Sequence, residues 1–128
     1  MNAREYYLSL QAVIHAAPHV LHSELSFDEI DTSECYVRGT LLLMNDLELH
    51  VAEYVITEPS VLRLKYRYHL QAGQDKTLVS RWDNVPHYPQ LSNFPHHRHD
   101  RENVAHPSPP IDIYKLLDVI LEFIGPGA

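Results

Sequence analysis

The chain has 128 residues, a formal charge of −7 and 45% hydrophobic residues, which suits one domain with enough apolar content for a core. No run of ~18 apolar residues is present, so a membrane span is not expected, and the single cysteine, Cys35, builds neither a disulfide framework nor a Cys-based zinc site. The opening Met1-Asn2-Ala3-Arg4-Glu5 has no apolar stretch behind it, so no secretory signal is read and a reducing, cytoplasmic setting is expected.

Residues 3–16 predict a helix, with Tyr7, Leu10 and Ile14 at helical spacing and Tyr6 and Val13 widening the stripe. Asn2 followed by Glu5 forms a capping-box pattern, and Pro18 ends the helix. From Val20 the period becomes two: Leu21, Leu25 and Phe27 alternate with polar residues, as in a half-buried strand. Further strands are read over 34–44, 47–57, 61–71 and 77–83, separated by short turns. In the fourth, Leu62, Leu64, Tyr66, Tyr68 and Leu70 are expected on one face, and Arg63, Lys65, Arg67, His69 and Gln71 on the other. Residues 84–110 carry six of nine prolines and five histidines with little periodicity, which reads as a long loop, functional or disordered, with Tyr88 and Phe94 arguing for partial packing. A last helix is expected over about 110–124, stopped by Gly125-Pro126. Cys35, Tyr66 and Tyr68 read as core, and His15, His19 and His22 as solvent-facing. The fold class is therefore α+β: one antiparallel, meander-like sheet of about five strands, with both helices packed on one face.

The net charge hides a segregation. Residues 63–101 hold seven Lys/Arg, three Asp and five of the ten His, so this segment is +4 and the remainder −11. The local field, rather than the total, governs partners. Arg63, Lys65, Arg67 and His69 recur every ~6.5–7 Å along a strand, a spacing that can follow a phosphate backbone and release counterions. The plain alternative is a solvated sheet face or a strand edge protected by charge.

Two further blocks carry candidate chemistry. In Arg81-Trp82-Asp83-Asn84-Val85-Pro86-His87, Asp83 can orient a histidine ring and Asn84 can donate to an oxyanion. The same residues also suit an ordinary strand-to-turn exit. In Phe94-Pro95-His96-His97-Arg98-His99-Asp100, an extended chain puts His97 and His99 on one face and His96 and Arg98 on the other. Two His beside an Arg suit RNA cleavage without a metal: one ring takes the 2′-hydroxyl proton, the other protonates the leaving oxygen, and Arg81 or Arg98 steadies the phosphorane. Three His can instead hold zinc with an open position, or form a polar loop with no chemistry.

Tyr66-Arg67-Tyr68-His69, then Arg81-Trp82-Asp83-Asn84-x-Pro86-His87, then Phe94-Pro95-His96-His97-Arg98-His99 resemble, in order and spacing, the TumE family of prokaryotic toxins. Tyr88 stands where a second His often follows His87, and Arg98 where Lys is common. The resemblance covers most of the chain and implies a toxin partnered by a helix-turn-helix antitoxin. The combined expectation is a metal-independent endoribonuclease needing no cofactor. His87, His97, His99, Asp83 and Arg81 form its catalytic set. Arg63, Lys65, Arg67, His69, Asn84, His96 and Arg98 hold RNA. The alternatives are a non-enzymatic RNA- or protein-binding growth inhibitor, and a His-ligated metallohydrolase. A homodimer through a sheet edge or helix face is also expected.

Overall fold

The structure, a computed structural model, describes residues 1–125. Helix α1 (Ala3–Ala16) begins with the expected capping box: Glu5 N–H donates to Asn2 Oδ1 at 2.8 Å, and Asn2 N–H donates to Glu5 Oε1 at 2.9 Å. Such a cap is worth about 1 kcal/mol. Helix α2 (Ile113–Ile124) starts three residues later than the sequence pattern predicts. Pro109 and Pro110 cannot donate to a helix ladder, and Asp112, accepting from Lys115 N–H at 2.9 Å, sets the start.

The strands are β1 (Val20–Asp31), β2 (Glu34–Leu43), β3 (Leu47–Ile56), β4 (Leu62–Ala72), β5 (Leu78–Asp83), β6 (His97–His99) and β7 (Ala105–Pro107). All seven form one antiparallel sheet in chain order. The α+β meander is as expected, with two more strands than the pattern gives. β6 and β7 are three residues each and lie inside the segment read as a loop, too short for a period of two to emerge.

One face of the sheet is covered by both helices. Tyr6, Leu10 and Ile14 of α1 and Leu116 and Ile120 of α2 are buried in one cluster with Val37, Leu41, Leu49, Tyr68 and Leu70. His19 is also buried there, its Nε2 2.9 Å from the Leu117 carbonyl, which corrects its solvent-facing assignment. Gly39 sits where β1 crosses closely: a Cβ there would run into the Glu24 carbonyl oxygen. Among the described residues, no helix lies on the other face.

A β-bulge changes the expected stripe. Tyr54 pairs with Lys65 but Val55 pairs with Arg63, so Leu64 is an extra residue between them. Beyond the bulge the alternation inverts. Arg63 moves to the helix side, beside Glu53 (Nε–Oε2 3.4 Å) and 5.4 Å from the Tyr6 ring centroid. Leu62 and Leu64 are exposed instead of buried.

Candidate active site on the open face

The register fixes which side chains share the open face. Across the sheet, Arg38, Ala52, Arg67, Asp83 and His97 are successive partners on β2 to β6. One row further along, Thr40, His50, His69, Arg81 and His99 do the same. Asp83, His97 and His99 thus meet because β5 and β6 pair in this register.

Asp83 is the hub. Its Oδ1 lies 2.9 Å from His97 Nε2 and accepts the Val85 N–H at 3.0 Å. Its Oδ2 lies 3.3 Å from Arg81 Nε and 3.8 Å from His99 Nε2. All three of Asp83, His97 and His99 are buried. Each ring is held from behind by a carbonyl: His97 Nδ1 is 2.9 Å from Pro95 O, and His99 Nδ1 is 3.3 Å from Asn103 O. A carbonyl only accepts, so Nδ1 carries the hydrogen in both rings and Nε2 points at the site. For His97 both nitrogens face acceptors, so both can donate. Burial pushes the His99 pKa below the ordinary histidine value, aided by the Arg81 and His97 charges, and the Asn103 carbonyl and Asp83 oppose this.

Tyr88 closes the site on one side. Its ring packs edge-on against His97 at 4.9 Å and His99 at 5.8 Å between centroids. The cavity beside it, about 340 Å³, is lined by Arg67, Arg81, Asp83, Val85, His87, Tyr88, His97 and His99. His87 is exposed at its rim. Arg81 also reaches Asn103 Oδ1, at 3.3 Å from Nη2.

The sequence-derived residues therefore divide into three groups. His87, His97, His99, Asp83, Arg81 and Arg67 line one cavity. Lys65 and His69 share its face on β4. Four residues lie elsewhere. Arg63 is on the helix side, as described. His96 stacks on Tyr66 (centroids 5.7 Å apart), with Nδ1 2.8 Å from the Tyr66 hydroxyl. Arg98 faces Ser80, donating to its Oγ at 3.3 Å. Asn84 has both ends of its amide committed to β4: Nδ2 donates to Leu64 O and Oδ1 accepts from Tyr66 N–H, each at 3.0 Å. It fastens the bulge, and it also borders a second cavity over β4.

A second cavity, about 350 Å³, adjoins the first through Arg67 and Val85 and extends over Tyr36, Arg38, Ala52, Tyr54 and Lys65. Tyr36 and Arg38 did not emerge from the sequence reading as site residues. The signal was present: they alternate with the core residues Cys35 and Val37.

The fold and site together define a class: an α+β protein with one face of its sheet sealed by helices and a His–Asp centre on the other. The family model described as Toxin TumE matches residues 10–126, and the chain belongs to that family. No curated protein and no solved structure gave a match. As a toxin of this family it has an antitoxin partner. Among the described residues no helix is long and apolar enough to cross a membrane.

Proposed function

We propose that this toxin acts in the cytoplasm as an endoribonuclease that cleaves RNA at the Asp83–His97–His99 centre by acid–base chemistry without a metal, and that a helix-turn-helix antitoxin neutralises it. The observation that carries this reading is the junction of a buried His–Asp–His cluster with a face bearing Arg38, Lys65 and Arg67, none of which has a carboxylate within ion-pair distance among the described residues.

The roles follow from the hydrogen bonds. His99, kept neutral by burial and carrying its hydrogen on Nδ1, offers the Nε2 lone pair to a 2′-hydroxyl. The O2′–P bond forms as that proton moves to His99. The P–O5′ bond breaks, and the leaving oxygen takes the His97 Nε2 proton, which leaves its hydrogen bond to Asp83 to make the transfer. Arg81 lies against Asp83 and steadies the charge on the equatorial oxygens. The products carry 2′,3′-cyclic phosphate and 5′-hydroxyl ends. His97→Ala protein should leave a labelled RNA intact in EDTA while wild type shortens it. If the wild-type protein shifts RNA without shortening it, the non-enzymatic binding reading replaces this one.

A second reading has its own observation. One ligand atom each from Asp83, His97 and His99 lies within 4.8 Å of the others. Both rings also present Nε2 while donating Nδ1–H to a carbonyl, the outer-shell arrangement of metal-ligating histidines. On this reading EDTA abolishes cleavage and a transition-metal ion restores it. Elemental analysis of protein purified without a nickel column then finds stoichiometric metal.

A further inference from the structure

We infer that the nucleic-acid path crosses the strands instead of following β4, and that the cavity over β2–β4 is a subsite for an unpaired nucleotide. This rests on the RNA reading above and deepens it.

Three observations converge. The bulge at Leu64 removes Arg63 from the open face, so a track of cations along β4 is cut to Lys65 and Arg67. At right angles to it, Arg38 on β2 and Arg67 on β4 flank Ala52, and the same row continues through Asp83 to His97. A methyl between two guanidinium side chains leaves a floor rather than a wall. The adjoining row supplies aromatic surface: Tyr36 and Tyr54 are cross-strand partners with ring centroids 4.6 Å apart, and Lys65 is the next partner. The Arg38 guanidinium lies 5.7 Å from the Tyr36 centroid. The two rings are half-buried and pack edge to face, and cations beside such aromatic surface suit single strands, because every base has a face to stack and every linkage a charge to neutralise. Paired RNA offers neither an unstacked base nor a groove that a flat sheet enters.

The dimensions agree. The cavity of about 350 Å³ falls in the ~300–1,000 Å³ range of small-ligand sites. Three strand spacings of ~4.8 Å separate β2 from β5, about 14 Å, which an extended strand covers in about two nucleotides. A base against Tyr36 and Tyr54, with its phosphates on Arg38, Lys65 and Arg67, places a linkage about two nucleotides away over Asp83 and His97. The acidic side chains at the far end of the same face, Glu24 and Asp28 on β1, bound the track by repelling further phosphate.

The test is fluorescence anisotropy with a fluorescein-labelled 2′-O-methyl hexauridylate, which carries no free 2′-hydroxyl and so separates binding from cleavage. Tyr54→Ala should weaken binding about tenfold, within the range measured for base–aromatic stacking, and Tyr54→Trp should restore it. Arg38→Ala, at an exposed position, should lower the salt dependence by about one counterion. In parallel, a 4-thiouridine strand photocrosslinked to wild-type protein should attach to Tyr36 or Tyr54. If wild type binds and both alanine variants bind equally well, or crosslinks fall only on residues 61–64, the path is wrong and the RNA reading stands. If wild type binds no strand but binds the purified antitoxin on this face, both fall.

Discussion

The two faces of this sheet each bury a carboxylate, and their surroundings differ in kind. On the helix side Glu53 accepts from the Tyr6 and Tyr68 hydroxyls and lies beside Arg63, under α1. Burial and the Glu53 charge push both tyrosines well above the ordinary phenol value, so neither ionises near neutrality. On the open side Asp83 meets two imidazoles and a guanidinium at the wall of a cavity. Two of its partners are imidazoles that border a cavity, whereas those of Glu53 are two phenols and a guanidinium on the helix-covered face. The comparison teaches that burial of charge alone does not mark a functional site. The kind of partner and the presence of a cavity are what separate the two carboxylates.

That distinction can be broken in several places. The largest effect is expected at the open centre. His97→Gln or His99→Gln should lower RNA cleavage by about 10²–10⁴-fold, measured as initial rate on a labelled transcript, with thermal denaturation confirming that the fold is kept. Next, Glu53→Ala should cost ~3–5 kcal/mol of stability, because it strips the buried Tyr6 and Tyr68 hydroxyls of their acceptor and leaves the half-buried Arg63 with only Asp112, at 4.0 Å. Urea denaturation reads this, and a loss below about 1 kcal/mol would mean that the network is not the structural member of the pair.

A pH effect of moderate size belongs to His69. Burial, reinforced by Arg67 on its own strand, Arg81 on β5 and His50 on β3, holds its pKa below the ordinary value, against a weaker opposing bond to Gln71. The unfolded chain therefore takes up this proton first. The stability is present above the unfolded value of ~6.5 and is lost as pH falls from there through the lower folded value. Denaturation at pH 7.5 and 5.5 should show lower stability at 5.5, and His69→Gln should flatten the difference. The smallest effect in native protein is at Cys35. Burial and the Glu53 charge push its thiol up to about 11, so iodoacetamide at pH 8 should label it in urea but scarcely at all when folded. Rapid native labelling would show that the helix-covered face opens.

Much of this was legible in the sequence where local rules act alone. The Asn2–Glu5 cap, the alternation that separates His97 and His99 from His96 and Arg98, and the helix-covered face all follow from spacing within one element. Three features were not, for physical reasons. A bulge is one inserted residue, and a period-two pattern cannot see it until the partner strand is known; that hid the turn of Arg63. β6 and β7 are held by pairing with β5 and with each other, so a proline-rich stretch reads as loop until a sheet edge is there to receive it. Asn84 looks like a free donor at a strand end, yet the bulge it follows leaves a backbone amide and carbonyl that claim its side chain. The role of the centre itself is a question of partners across strands, which spacing does not contain.

The Asn84 clamp has a mechanical consequence. It ties the exit of β5, one residue past Asp83, to the point on β4 just before Arg67. Asp83 and the Arg67 cation paired with it across the strands are thereby held in one frame. In the proposed RNA reaction, that frame would be the fixed end of a ruler, setting how far along a bound strand the scissile linkage falls. Asn84→Asp keeps the acceptor and loses the donor, so it should loosen the frame without emptying the site. The expected signature is a blurred cut position with the total amount of cutting largely retained.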